Sequence, residues 1–275
     1  MTAPRTGRPV LLVGGGKMGG ALAAGWLGAG WKPGELLVVE PDAGRHAALQ
    51  AQGVERVLAS VAELPAGPEP VALVLAVKPQ VMATTAPDYR SRIGKATLVL
   101  SIAAGKTIAS FEDIFGTTTG IVRAMPNTPA AVGQGATVLV ANAAATTAQR
   151  ELASTLMAAV GLVEWVEDED LMHVVTALSG GGPAYVFLLI ETLAEAGRRQ
   201  GLDADLAMRL ARSTVCGSGE LARRSSSPAS QLRIDVTSPG GTTAEALRVL
   251  MADNGILPLF EMAIRAAAAR SLQLA

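Results

Sequence analysis

Several residue types that carry chemistry are scarce in this 275-residue sequence, and each scarcity excludes a class of function. Cys216 is the only cysteine, so the chain has no internal disulfide, which predicts a reducing, cytoplasmic compartment. Aromatic residues make up 3% and the net charge is −1 with scattered basic residues, so we expect no nucleic-acid partner. The apolar stretch from Ala184 to Ile190 ends at Glu191, too soon for a membrane span, and we expect no membrane partner.

The chain does contain a glycine-rich turn between an apolar stretch and a helix. Val10 to Val13 predict a short buried strand, and Ala21 begins a helical pattern. Between them, glycines occupy positions 14, 16 and 19, the G-x-G-x-x-G spacing of dinucleotide-binding turns. The first glycine permits a tight turn, the second lets the backbone approach a pyrophosphate, and the third allows close helix packing. We therefore predict a dinucleotide site, with a ligand-free turn as the alternative.

A second predicted strand, Glu35 to Glu40, ends in an acidic residue at an informative distance from the glycine turn. Glu40 lies 21 residues after Gly19, close to the offset at which a carboxylate binds the ribose hydroxyls of NAD. A 2′-phosphate beside Glu40 would be repelled, which favours NADH, although Arg45 is near enough to leave NADPH open. A solvated acid at a strand end is the alternative interpretation.

The first part of the chain alternates strand and helix patterns, which predicts a doubly wound, mostly parallel sheet. The expected strands after the second are 71–77, 97–102, 120–125 and 136–140, and the expected last helix runs from Ala148 to Val160 with Gly161 as its C′ residue. Lys78 and Pro79 follow one strand, and Pro126 to Ala130 form a stiff loop after another. Residues past the carboxyl ends of parallel strands line the ligand crevice of such sheets.

From Glu167 onward the sequence shows helical patterns and no convincing strand. One predicted helix starts at Pro183 and ends near Gly201, and it is apolar on nearly every side up to Leu193. Such a helix must be buried, so we predict a dinucleotide-binding domain over residues 1–164 and an all-helical dimerisation domain over 165–275. The predicted assembly is a homodimer, and the sequence leaves open whether dimers associate further.

A second glycine turn lies in this helical part. Ser238-Pro239-Gly240-Gly241 precedes a helix that begins near Thr242 and Thr243. Backbone N–H groups at such a helix start are unpaired, and with the hydroxyl groups they suit a carboxylate. The alternative is a plain linker.

The small number of lysines and histidines limits the reactions that the chain can catalyse. All five lysines lie between residues 17 and 106, and the only histidines are His46 and His173, neither of which we expect to be catalytic. No cluster of His, Cys and acidic residues has metal-ligand spacing, so no metal is expected. The scarcity favours a small substrate that is already electrophilic, such as a protonated imine with a carboxylate, for which hydride delivery requires mainly orientation.

Taken together, the motifs resemble those of the pyrroline-5-carboxylate reductase family over nearly the whole chain. The segments that carry the resemblance are Gly14-Gly15-Gly16-Lys17-Met18, Ala76-Val77-Lys78-Pro79-Gln80, Ser101-Ile102-Ala103-Ala104-Gly105, Met125-Pro126-Asn127-Thr128-Pro129-Ala130, Ala177-Leu178-Ser179-Gly180-Gly181-Gly182-Pro183-Ala184-Tyr185 and Val236-Thr237-Ser238-Pro239-Gly240-Gly241-Thr242-Thr243. The chain departs from the usual family pattern at Lys17, Gly19, Gly181 and His173.

The resemblance implies reduction of 1-pyrroline-5-carboxylate to L-proline with NADPH or NADH, a Rossmann domain and an interlocked helical dimer. It implies cofactor contacts at two further loops, through Val77, Lys78, Pro79, Met125 and Asn127. These add to the contacts already predicted from the glycine turn and the acid after it, at Gly14, Gly16, Lys17, Met18, Gly19 and Glu40. Ser238, Gly240, Gly241 and Thr242 would hold the substrate carboxylate, and Thr243 would bond to the ring nitrogen as the catalytic hydroxyl. A β-hydroxyacid dehydrogenase, an imine reductase with another cyclic substrate and a non-catalytic dinucleotide sensor are the alternatives.

Overall fold

The computed structural model describes residues 7–274, and the first part of the chain forms one eight-stranded sheet. Its strands are β1 (Val10–Val13), β2 (Leu36–Val39), β3 (Arg56–Leu58), β4 (Ala72–Leu75), β5 (Leu98–Ser101), β6 (Ile121–Met125), β7 (Gly135–Ala141) and β8 (Gly161–Trp165). Their spatial order is β3-β2-β1-β4-β5-β6-β7-β8, so the chain winds outward from β1 in both directions. The predicted doubly wound, mostly parallel sheet is confirmed.

The four central strands are covered on both faces, which explains why nearly all their residues are apolar. Every residue of β1, β2, β4 and β5 is buried, and the four strands pair in parallel. The helices that accompany the sheet are α1 (Lys17–Gly28), α2 (His46–Ala51), α3 (Met82–Thr85), α4 (Ile108–Phe115) and α5 (Thr147–Ala158). Trp26 is central to the core on one face and Phe111 to the core on the other.

Strict alternation of strand and helix fails at β7, which runs antiparallel to β6 with Val140 opposite Arg123. Only residues 126–134 separate these two strands, and they contain one short 3-10 turn, Thr128–Val132. A parallel pair requires a crossover of a dozen or more residues. The short connection therefore reverses the chain direction.

The prediction that Gly161 terminates α5 is wrong, because Gly161 is the first residue of a missed strand, β8. Its φ of +147° is unfavourable for other residues, and a Cβ there would collide with the backbone of Gly135 on β7. The glycine is thus required by the close pairing of β7 and β8. The three-residue strand β3 was missed as well.

The rest of the chain is helical, as expected. Its helices are α6 (Leu171–Val175), α7 (Gly182–Arg199), α8 (Ala204–Arg224), α9 (Ala229–Asp235), α10 (Thr242–Leu250) and α11 (Ile256–Gln273). Asp203 caps α8 by accepting hydrogen bonds from the N–H groups of Asp205 and Leu206, as its position predicts. A π-helical turn, Thr176–Gly180, joins α6 to α7, so that Leu171–Arg199 forms one continuous helical stretch.

Backbone contacts divide the chain into two compact units. The helical unit is Gly181–Ala266, and the sheet unit comprises the other described residues, including the end of α11. The predicted domain boundary after residue 164 stays a prediction. Within the sheet unit, the Ser271 hydroxyl lies 3.0 Å from Nδ1 of His173, so the end of α11 packs against α6.

The helical unit has almost no core of its own. In the range 181–266, all of which the structure describes, the only buried apolar residues are Ala194, Ala207 and Ala211. Large apolar side chains lie exposed instead, with Phe187 and Leu188 each 60% exposed. Among the described residues, Leu171–Arg199 is the one helix long and apolar enough to cross a membrane by length and composition. Exposed faces of this kind require a partner.

Candidate functional site

The glycine turn between β1 and α1 is shaped by close backbone contacts. Gly14 has a φ of +99°, and a Cβ on it would lie 2.8 Å from the carbonyl oxygen of Ala76, just after β4. A Cβ on Gly19 would collide with the carbonyl oxygen of Gly14. The first and third glycines therefore allow the turn and the close approach of α1 to the sheet.

The start of α1 offers unpaired N–H groups. Gly16 is the N-cap residue and provides no side-chain cap, and the first turn contains no acidic residue. Lys17 begins the helix with an exposed side chain, whereas Met18 is half-buried. Free N–H groups, the helix dipole and a lysine form an environment that favours an anion. The turn thus fits the pyrophosphate of a dinucleotide.

Glu40, expected at the ribose, is 4% exposed and uses its carboxylate within the chain. One oxygen, Oε2, accepts a hydrogen bond from the Gly15 N–H at 2.7 Å, and Oε1 accepts one from the Asp42 N–H at 2.9 Å. Nη1 of Arg45 lies 3.4 Å from the same Oε2. The carboxylate therefore links the glycine turn to the segment that follows β2.

The segment after β4 lies beside this turn. A Cβ on Gly14 would come within 3.2 Å of the Val77 side chain. Lys78 is exposed and precedes a 3-10 turn, Pro79–Val81, in which Pro79 occupies the first position. The sheet unit thus brings the glycine turn and the end of β4 together, as the parallel order predicts.

Met125 and Asn127, at the end of β6, contact the π-helical turn. The Nδ2 group of Asn127 donates to the Ser179 carbonyl oxygen at 3.1 Å, and its Oδ1 accepts from the Ala136 N–H at 2.8 Å. The Met125 side chain lies against Gly180, where a Cβ would collide with it. Asn127 therefore positions the π turn relative to β7, a role that its sequence context did not suggest. π-helical turns are frequent at functional sites.

An ion pair between a buried arginine and a partly exposed glutamate, which the sequence did not suggest, lies near the β5–α4 connection. Arg123 on β6 is 6% exposed and pairs with Glu169, which also accepts a hydrogen bond from the Ile108 N–H at 2.8 Å. Ile108 is the first residue of α4, so Glu169 stabilises that helix start. A lone arginine within an apolar strand was the available signal, because a buried arginine requires a partner.

The predicted substrate loop lies in the helical unit. Gly240 has a φ of +68°, and the N–H of Gly241 donates to the Ser238 carbonyl oxygen at 3.0 Å. The helix α10 starts at Thr242 without a side-chain cap, and Ser238, Thr242 and Thr243 are exposed. The loop thus presents hydroxyl groups beside unpaired N–H groups, an arrangement that suits a carboxylate. The described residues contain no cluster of potential metal ligands.

Two family models match the chain. The model described as pyrroline-5-carboxylate reductase dimerisation matches residues 169–274, and the one described as NADP oxidoreductase, coenzyme F420-dependent, matches residues 9–105.

Individual proteins match the whole length. The chain is 38% identical to a pyrroline-5-carboxylate reductase of Pseudomonas aeruginosa, with 100% of this chain and 98% of that protein covered. A solved pyrroline-5-carboxylate reductase from Coxiella burnetii has a TM-score of 0.87 at 36% identity, covering 98% of both chains. The solved Plasmodium falciparum pyrroline carboxylate reductase with NADP bound has a TM-score of 0.80 at 30% identity, covering 97% of this chain and 98% of that one.

Proposed function

The chain belongs to the pyrroline-5-carboxylate reductase family, and from this premise we propose which of its residues carry out the reaction. It is an NAD(P)H-dependent oxidoreductase that reduces 1-pyrroline-5-carboxylate to L-proline, the last step of proline biosynthesis. The observation that carries this function is the full-length similarity to reductases at 38% identity. The retained glycine turns at Gly14 and Gly240 support it.

The cofactor site that we propose lies along the ends of β1, β2, β4 and β6. The N–H groups at Gly16, Lys17 and Met18 suit the pyrophosphate, because the start of α1 has neither a side-chain cap nor an acid in its first turn. The remaining proposed contacts are Gly14, Gly19, Glu40, Val77, Lys78, Pro79, Met125 and Asn127. When bound, the reduced nicotinamide supplies the hydride for the imine carbon.

The substrate carboxylate binds the loop before α10 in this proposal. The Ser238 hydroxyl and the backbone of Gly240, Gly241 and Thr242 surround an uncapped helix start. The Gly241 N–H already donates to the Ser238 carbonyl oxygen, so Gly240 and Thr242 provide the N–H groups in this proposal. An anion at such a terminus gains about 0.3–1 kcal/mol, and up to about 2 kcal/mol when it is partly buried. Binding the carboxylate there fixes the orientation of the small ring, which is the main requirement for hydride delivery to an activated imine.

Thr243 is the residue that we propose for the ring nitrogen. Its hydroxyl lies on the second residue of α10, one position after Thr242, so a ring held by its carboxylate can reach it. A hydroxyl both donates and accepts, and it can therefore remain bonded to the nitrogen as the imine becomes an amine. No lysine occurs after residue 106, so the catalytic lysine on which β-hydroxyacid dehydrogenases rely is absent from the helical part.

The exposed apolar faces of the helical unit support a homodimer of this chain. The dimerisation model covers residues 169–274, which includes Leu171–Arg199. We propose that this helix packs against a second copy rather than into lipid, that residues 165–275 form the dimerisation domain, and that the enzyme works in the cytoplasm. Association of dimers into larger assemblies is compatible with the many exposed apolar residues of this unit, among them Leu257.

The test is the loss of NADH or NADPH absorbance with and without racemic 1-pyrroline-5-carboxylate. Substrate-dependent oxidation of either cofactor is the expected result. A folded dimer that binds cofactor and oxidises neither would contradict the assignment and favour another cyclic imine or a dinucleotide sensor. Sedimentation of the same sample distinguishes that result from a failure to assemble.

A further inference from the structure

The position of Glu40 after β2 does not by itself show whether the chain prefers NADH or NADPH. The Glu40 side chain is 5% exposed, and its carboxylate accepts two backbone hydrogen bonds and faces one guanidinium, so most of its acceptor capacity is used within the chain. A ribose diol needs a carboxylate with two accessible acceptor positions. Because nearby donors compensate its charge, Glu40 also repels a neighbouring phosphate less than an exposed acid would.

Arg45 lies between Glu40 and the glycine turn and is half-exposed. Its Nε lies 3.2 Å from Oδ2 of Asp42, and its Nη1 lies 3.4 Å from Oε2 of Glu40. The same Nη1 would be 3.2 Å from a Cβ on Gly16, the second glycine of the turn. The guanidinium therefore lies where the end of β2 meets the start of α1, next to the expected place of the adenosine ribose.

We infer that Arg45 is the specificity-determining residue, which binds the 2′-phosphate of an adenosine ribose and makes the chain prefer NADPH. This inference rests on the proposed function. The contacts of Arg45 with carboxylates are single and long, whereas a phosphate dianion offers the planar guanidinium two parallel, charge-assisted hydrogen bonds. Lys17, exposed at the start of α1 and adjacent in sequence to Gly16, adds a further positive charge to the turn.

The roles of the neighbouring acids follow from their contacts. Asp42 uses Oδ1 to accept from the Gly44 N–H at 3.0 Å, which holds the turn that carries Arg45. Glu40 is a positioning residue, because it joins this turn to Gly15. When Arg45 turns to a phosphate, Glu40 keeps both backbone partners and is not left unpaired in the interior. The exchange therefore requires movement of one half-exposed side chain.

Calorimetric binding of two cofactor fragments, 2′,5′-ADP and 5′-AMP, to the intact dimer tests the inference without turnover. The unaltered protein should bind 2′,5′-ADP at least about tenfold more tightly. Arg45→Ala should reduce that ratio to within about threefold of unity and weaken the salt dependence of 2′,5′-ADP binding. Arg90→Ala removes an exposed arginine from the same unit and should leave the ratio unchanged.

Further variants keep the test decisive. Arg45→Gln retains most of the side-chain length and replaces Arg45→Ala if the latter does not fold, as judged by circular dichroism. An unchanged ratio in the folded variant would overturn the inference. So would a Glu40→Gln protein that alone shifts the ratio strongly toward 2′,5′-ADP, since Glu40 would then distinguish the cofactors. If the folded dimer bound neither fragment, the proposed cofactor site would fail first, and the inference with it.

Discussion

The sheet unit and the helical unit bury their apolar residues in different ways. In the sheet unit, whole strands such as β1 and β4 are buried within a single chain, and cores lie on both faces. In the helical unit, alanines at the contact between α7 and α8 are the only buried apolar residues, while leucines and phenylalanines lie exposed. The first unit obtains its hydrophobic stabilisation from its own chain, and the second needs a second copy.

The proposed cofactor residues belong to the first unit and the proposed substrate residues to the second. Gly14 and Glu40 are held by hydrogen bonds and backbone contacts inside the sheet unit. Ser238, in the loop before α10, and Thr243, on α10, are exposed residues of a unit that has almost no core. Cofactor binding should therefore tolerate damage to the assembly better than substrate binding and turnover do. The following experiments separate the two dependences, beginning with the largest expected effect.

Leu188→Asp should break the assembly while leaving the sheet unit folded. Leu188 is 60% exposed in one chain, and an aspartate in a dimer interface would be buried without a partner. We expect the dimer dissociation constant to rise by about a thousandfold, or about 4 kcal/mol. Sedimentation equilibrium measures this change, and Val132→Asp introduces the same charge at a 75% exposed apolar residue of the sheet unit as a control. A stable, fully helical monomer of the unaltered protein on dilution would contradict the premise.

Thr243→Ala should reduce turnover while the dimer and cofactor binding persist. The lost hydroxyl contact at the ring nitrogen should lower kcat/KM by roughly one to three orders of magnitude. Steady-state kinetics with saturating cofactor measures the loss. Thr118→Ala is the matched control, because that exposed threonine precedes the amino end of β6, away from the carboxyl ends of the parallel strands. Equal kinetics for Thr243→Ala and the unaltered enzyme would remove Thr243 from the mechanism.

Asn127→Ala should weaken the sheet unit directly. Two of its amide hydrogen bonds, to Ser179 and Ala136, would be lost, and their half-buried backbone partners would be left unpaired. We expect a loss of about 1–3 kcal/mol in the free energy of unfolding. Urea denaturation measures it, with the exposed neighbour changed in Thr128→Ala as the control. A loss that depends on protein concentration would instead place Asn127 in the dimer contact.

The smallest expected effect is a difference in pH sensitivity. Hydrogen bonds from two arginines each lower the pKa of Glu195 and of Glu220 from 4.5 to about 2, so their stabilisation of the helical unit is present above pH 4.5 and lost as the pH falls toward 2. Burial, and then the charge of Asp88, raises the pKa of Tyr89 from 10.0 to about 12, so the sheet unit loses stability as the pH rises from 10 to 12. The substitutions Glu195→Gln and Glu220→Gln should each reduce the loss of stability in acid, and Tyr89→Phe should remove the loss of stability at alkaline pH. Unfolding measured as a function of pH checks both. A Tyr89→Phe protein with an unchanged alkaline limb would contradict this account.

The central fold could be predicted because its signals are local. An apolar strand buried on both faces is recognisable without its neighbours, and the spacing of Gly14, Gly16 and Gly19 indicates the strand–turn–helix. β8 was missed because it is an edge strand with alternating exposure, and Gly161 after a helix resembled a C′ residue. Glycine is required at position 161 because the backbone of Gly135, 26 residues earlier in the chain, lies close to it. Such a contact leaves no local pattern.

The candidate site likewise combines features that the sequence could predict with features that it could not. The uncapped start of α10 follows from the Pro239-Gly240-Gly241 turn that precedes it and was predictable. The hydrogen bonding of the Glu40 carboxylate within the chain was not predictable, because it depends on the Gly15 N–H, a backbone group brought close by folding. Sequence spacing predicts which residues meet a ligand, but it does not predict which of their atoms the protein itself has already bonded.

The return of the last helix to the sheet unit has a consequence for biosynthesis. Ser271 bonds to His173, which precedes it by 98 residues, and Leu274 lies against Gly105. On the ribosome, the sheet strands emerge first. The contacts made by Ser271 and Leu274 can form only after the entire helical segment has been synthesised. The nascent chain meanwhile exposes Phe187, Leu188 and their neighbours to solvent. Translation speed and chaperone binding over this interval should therefore influence the yield of active enzyme more than the intrinsic folding of the sheet does.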